Sequence, residues 1–158
     1  NVKSIDLYAD FLTHWDFVPH NFRVKNNNIY LLDHSSFRFG NKHESWARFI
    51  NFMVLYNPQL ATNLIAYIKL NREPSELISL RLMRIFRLGE IMQHYVKTMP
   101  RASVDLKILN QERVNFWSKV LESVLDDKEL DLKVVEDYKK KRDILRTPEE
   151  KKRQEKLH

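Results

Sequence analysis

The 158-residue chain contains no cysteine. A disulfide framework, a thiolate nucleophile and a Cys-based metal site are therefore excluded. It has only two glycines, Gly40 and Gly89, and neither stands in a Gly-rich phosphate loop. The common self-contained nucleotide sites need several glycines to bring backbone amides close to phosphate, so these too are excluded. Long apolar runs are missing: stretches such as Phe52-Met53-Val54-Leu55-Tyr56 fall far short of the ~20 residues that cross a bilayer. That argues against a membrane partner. Asn1-Val2-Lys3-Ser4-Ile5-Asp6 has neither the basic start nor the apolar core of a signal peptide, which leaves the cytoplasm as the default setting.

One-sided charge is lacking as well. Lys and Arg number 27 against 21 Asp and Glu, a net +6. Residues 1–100 hold 12 basic and 8 acidic residues, and residues 101–158 hold 15 and 13. Lys139-Lys140-Lys141-Arg142 and Lys151-Lys152-Arg153 are interleaved with Glu136, Asp137, Asp143, Glu149, Glu150 and Glu155. Such mixing describes solvated helix faces rather than a stripe that tracks phosphates. A basic nucleic-acid-binding helical domain is thus the weakest of three function classes. What the chain does have is core material: 43% apolar and 11% aromatic residues, enough for one domain or one lobe of a larger protein.

The first 40 residues differ from the rest. Phe11-Leu12-Thr13 reads as a short strand ending at His14. Phe22-Arg23-Val24-Lys25 and Ile29-Tyr30-Leu31-Leu32 flank Asn26-Asn27-Asn28. Asparagine tolerates the left-handed backbone of tight turns, so the pattern predicts a β-hairpin over 22–32. Asp33 to Asn41 reads as a loop. From Glu44 the period becomes helical: Trp46, Phe49, Ile50, Met53 and Val54 recur at three- and four-residue steps until Asn57-Pro58. Further helices are predicted over 60–70, from Pro74 to Pro100, and from about Ser103 to Leu125. Two weaker ones follow, the last opened by the capping box Thr147-Pro148-Glu149-Glu150. The predicted fold class is α+β, mainly α: a small β-hairpin region leading into a helical bundle. The expected division is a lobe over residues 1–126, with a helical subdomain over 44–126, and a charged helical tail over 127–158.

The chemistry concentrates in His14-Trp15-Asp16-Phe17-Val18-Pro19-His20-Asn21, the hairpin, and then Asp33. Phosphoryl transfer from a nucleotide requires one carboxylate to take the proton of an attacking hydroxyl and another to hold the metal that bridges the phosphates. A neutral oxygen donor often completes the metal shell. A loop with Asp and, five positions on, Asn can aim both side chains into one cleft. A hairpin can return the chain so that Asp33 enters the same cleft. The same residue types also serve as turn caps, and Asp33 as a strand-end turn residue. His20, His34 and His43 with Glu44 lack the helical spacing of a zinc site.

His14-x-Asp16-x-x-Pro19-x-Asn21, followed by Ile29-Tyr30-Leu31-Leu32-Asp33, resembles the pattern of the aminoglycoside phosphotransferases and their choline-kinase-like relatives. Pro19 and Val18 favour that branch over protein kinases, which usually carry Lys where Val18 stands. Gly40-Asn41-Lys42-His43-Glu44-Ser45-Trp46-Ala47 also resembles the family, with Glu44 where Asp is usual. The resemblance covers about residues 11–55 and implies the helical C-terminal lobe of a protein-kinase-like fold, with the hairpin at the catalytic cleft.

It further implies an ATP-dependent phosphotransferase acting on a hydroxyl of a small molecule. Asp16 would be the catalytic base, Asn21 and Asp33 the magnesium ligands and cofactor-binding residues, and His14 the structural support of the catalytic loop, bonded to its backbone or to Asp33. Glu90, Asp105, Glu112 and Asp137 are candidates for meeting a cationic acceptor. Two departures stand out: Trp15 where a small residue is common, and His34-Ser35-Ser36 after Asp33. They motivate the second function class, a catalytically weakened pseudokinase or binding module. Only thirteen residues precede His14 and no Met begins the chain, so the strands that would cover the ATP phosphates are expected on a separate N-terminal lobe. The 158 residues alone are expected to turn over little.

Overall fold

The computed structural model describes residues 7–148. Asn1 to Asp6 and the charged stretch from Glu149, including half of the expected capping box, lie outside the described residues. Four short strands come first: β1 (Phe11–His14), β2 (Phe22–Lys25), β3 (Asn28–Leu31) and β4 (Phe37–Gly40). They form two antiparallel ribbons, β2 with β3 and β1 with β4, so that the second pair brackets the hairpin in sequence. The hairpin register pairs Lys25 with Asn28 and Phe22 with Leu31. Its two turn residues, Asn26 and Asn27, have φ of 51° and 60°. Two left-handed residues match the twist of the flanking strands, and Asn reaches that conformation more readily than most side chains.

Strand β4 corrects the expected loop over Asp33–Asn41. His34–Ser36 forms a single 3-10 turn, and Phe37-Arg38-Phe39-Gly40 then pairs with β1, His14 opposite Phe37 and Phe11 opposite Gly40. The partner strand lies on the far side of the hairpin in sequence. Strand formation here depends on that distant pairing more than on local preference.

Five α-helices lie wholly among the described residues that follow: α1 (Glu44–Tyr56), α2 (Pro58–Asn71), α3 (Pro74–Thr98), α4 (Val104–Leu125) and α5 (Leu132–Leu145). The chain is mainly helical, as its periodicity predicts. Asn57 caps α2, its Oδ1 accepting from the Leu60 amide at 3.1 Å, while Pro58 occupies the first helical position. No helix among the described residues is long and apolar enough to cross a membrane.

Packing divides the chain into two compact units, residues 1–87 and 88–158. In the first, Ala47, Ile50, Met53, Val54 and Leu55 of α1 are buried, as are Ala61 and Ile68 of α2. In the second, α4 buries Phe116, Trp117, Val120 and Val124, and α5 buries Val135 and Tyr138. Phe116 and Tyr138 stack with centroids 4.3 Å apart and planes 15° from parallel. Within the stretch expected as a charged helical tail, α5 therefore packs against α4. Val135 and Tyr138, three apart on one helix face, anchor α5 among side chains whose charge dominates the composition.

Candidate active site

Strand β1 delivers His14 into the interior, where it is 2% exposed. Its Nε2 lies 3.0 Å from the carbonyl oxygens of both Leu32 and Asp33. Carbonyls only accept, so Nε2 carries the hydrogen, and the buried Nδ1 has no hydrogen-bond partner among the described residues. The ring meets Phe37 edge-on at 5.0 Å. Ser45, in the first turn of α1, holds the same point: its Oγ accepts from the His14 amide at 2.9 Å and lies 2.7 Å from Thr13 Oγ1. His14 thus ties the 14–21 loop to the chain entering Asp33.

Within the loop, Val18 is fully buried and Pro19–Asn21 forms one 3-10 turn. That turn folds Asn21 back over Asp16. Asn21 Nδ2 donates to the Asp16 carbonyl at 2.7 Å and to Asp16 Oδ2 at 3.2 Å. Both bonds leave from Nδ2, so Oδ1 retains its lone pairs. Asp16 Oδ1 accepts from Arg48 Nη2 at 3.0 Å, and His20 Nε2 stands 3.6 Å from Oδ2. An ion pair still open to solvent on one side adds little stability; its effect is to orient the carboxylate.

Asp33 is held differently. It adopts the left-handed conformation, φ 55° and ψ 58°, at the head of the 3-10 turn. The Leu32 amide donates to the Asn21 carbonyl at 2.7 Å, which brings the backbone of the Asp33 segment against the loop. The Asp33 carboxylate is exposed and accepts from Ser35 Oγ at 2.6 Å and from Ser36 Oγ. These two hydroxyls, Ser35 first, hold its pKa below the ordinary carboxylate value. It makes no hydrogen bond to the side chain of Asp16 or Asn21 among the described residues. Of the three predicted oxygen donors, two meet through side chains and the third joins them through the backbone. No group of three or more His, Asp and Glu side chains among the described residues gathers into a metal set.

Several neighbours escaped sequence reasoning. The Trp15 amide donates to the Ser36 carbonyl at 2.8 Å, and the indole meets two guanidinium carbons, Arg38 at 3.3 Å and Arg87 at 3.2 Å from its ring centroid. Glu44 Oε2 accepts from both, at 2.8 and 3.3 Å. Gly40 makes room for this carboxylate, since a Cβ there would lie 3.0 Å from Glu44 Oε1. Arg48 stands one helical turn after Glu44, so the period of α1 places the two on one face. Nothing in the sequence says which carboxylate Arg48 meets.

A second buried polar cluster lies where α1 begins. His43 Nδ1 is 3.0 Å from Ser79 Oγ and its Nε2 3.5 Å from Glu76 Oε1. Burial holds His43 below the usual imidazole value, and the Lys42 ammonium bound to Glu76 lowers the carboxyl. Ser79 is fully buried and sits within hydrogen-bonding distance of the Asn41 amide group, so this Ser-His-Glu set is closed to substrate and acts as a structural lock. Comparison with protein families, curated proteins and solved structures finds no match for the chain.

Proposed function

We propose that the chain is the catalytic lobe of an ATP-dependent phosphotransferase that acts on a hydroxyl of a small molecule. The observation that carries this reading is the Asn21 amide folded onto Asp16 in a loop that His14 ties to the Asp33 segment. Asp16 would take the proton of the attacking hydroxyl through Oδ2, whose contacts, at 3.2 and 3.6 Å, are longer than the 3.0 Å ion pair at Oδ1. Asn21 Oδ1 and the Asp33 carboxylate would hold magnesium, which takes one or two protein oxygens and completes its shell with water and phosphate. They suit such a cation: one is a neutral oxygen with free lone pairs, the other an exposed carboxylate held ionised by serine hydroxyls. When bound, the metal would neutralise the charge of the transferring phosphoryl group. The proposed setting is cytoplasmic.

The test is magnesium-dependent ADP release by the full-length protein across a panel of small hydroxyl acceptors. Asp16→Ala is expected to lower turnover by about 10²–10⁴-fold while leaving nucleotide affinity nearly intact. Activity like that of the wild type in this variant rejects the role of Asp16. A second reading, a catalytically faded kinase-like module, is favoured by the Arg48 ion pair that already occupies Asp16. Absence of magnesium-dependent nucleotide binding by the full-length protein would support that reading over the first.

A further inference from the structure

We propose that Trp15 is a positioning residue for Asp16: gripped between Arg38 and Arg87, it fixes the backbone from which the Asp16 carboxylate reaches Arg48 and Asn21. The catalytic consequence rests on the phosphotransferase reading; the positioning itself does not. Two guanidinium carbons 3.2 and 3.3 Å from one ring centroid cannot share a face without overlapping, so the indole lies between them. Bringing two like charges to one ring requires a shared anion, and Glu44 Oε2 supplies it. The Trp15 amide, bonded to the Ser36 carbonyl at 2.8 Å, ties down the backbone of the same residue.

One helix face then serves both ends of the device. Glu44 assembles the wedge around Trp15, and Arg48, a turn later on α1, receives the carboxylate of the next residue in the loop. Arg87 is 4% exposed, and removing a guanidinium that far from water is costly. An apolar side chain would support the loop with less desolvation. Flat guanidinium groups, each bonded to Glu44 Oε2 and stacked on the indole, add what an apolar contact cannot, a fixed orientation.

The experiment compares Trp15→Leu, which keeps apolar bulk but loses the flat π faces, with Trp15→Phe, which keeps an aromatic face. Arg38→Gln, at a partly exposed position, removes one side of the grip with less risk to folding. In the intact chain, the ¹⁵N resonances of the Asn21 side-chain amide and the Arg48 guanidinium report where the Asp16 carboxylate sits, with circular dichroism as the check on fold. Trp15→Leu is expected to shift both resonances, Arg38→Gln to shift them less, and Trp15→Phe to stay near the wild type. In the full-length protein, Trp15→Leu is expected to lower kcat about tenfold to hundredfold with KM within about twofold. Trp15→Phe is expected to restore most of the loss. Unmoved resonances in folded Trp15→Leu, or in Arg38→Gln should the first fail to fold, overturn the proposal. Moved resonances with unchanged kcat overturn its catalytic consequence. Moved resonances in a protein whose wild type phosphorylates no acceptor support the positioning and reject the phosphotransferase reading.

Discussion

The two packing units bury different chemistry. Among the described residues, the unit of residues 1–87 buries Thr13, His14, Asn21, Asn41, His43, Asn51, Glu76, Ser79 and Arg87, whereas the unit of residues 88–158 buries only Asn110 among polar side chains. A buried polar group costs free energy unless it is bonded, so each of the nine needs a partner in a specific direction. Asn51 is typical, donating to the Arg84 carbonyl at 3.1 Å and accepting from Arg84 Nε at 3.0 Å. The second unit is held by area instead, as in the Phe116–Tyr138 stack. Apolar contact tolerates small displacement; a directional bond does not. The unit with directional bonds is the one that carries Asp16, Asn21 and Asp33.

Three substitutions or conditions sharpen this contrast. The largest effect is expected at Phe116→Ala, which should destabilise the second unit by about 3–5 kcal/mol in urea unfolding. A loss below about 1 kcal/mol would mean that the aromatic stack is not that unit's core. His14→Phe is next. It preserves a ring against Phe37 but strands the carbonyls of Leu32 and Asp33, at an expected cost of about 1–3 kcal/mol. A neutral result would show that water satisfies those carbonyls and that His14 ties nothing together.

The smallest effect is a pH dependence confined to the polar unit. An unfolded His43 binds its proton near the ordinary imidazole value, whereas the folded one does so only at lower pH. Between those two values the unfolded chain holds more protons, so stability rises with pH there. The contribution is complete above the unfolded value of 6.5 and is lost as pH falls towards the folded value. Glu76, whose carboxyl is also lowered, acts in the same sense below its unfolded value of 4.5. Urea midpoints taken from pH 7.5 down to pH 5.5 (roughly a unit either side of the imidazole value) are expected to fall, and His43→Gln should flatten that slope. An unchanged slope in the variant would assign the dependence to another group.

Much of the architecture was legible in the residues because its causes are local. Asn26-Asn27 specifies a tight hairpin turn, Asn57-Pro58 specifies the end of one helix, and the period of α1 names Ile50, Met53 and Val54 of its buried face. Strand β4 was not legible, since Phe37–Gly40 becomes a strand only against β1. At the site, the spacing from Asp16 to Asn21 foretold a loop that can bring them together, and the 3-10 turn at Pro19 does so. The serine grip on Asp33 sits within three residues of it, yet the sequence offered His34-Ser35-Ser36 only as a departure of unknown effect.

Sequence alone determined the hairpin turn, the helices to within a few residues and the identity of the oxygen-bearing side chains, because each follows from backbone preferences and spacing along a few residues. Tertiary structure alone decided which cation faces Asp16, where the bulk of Trp15 goes and which carboxylate a side chain at position 40 would meet. Those outcomes depend on which of many charged groups arrive in the same place. Pairwise electrostatics and stacking act over a few ångströms in space, whatever the distance along the chain.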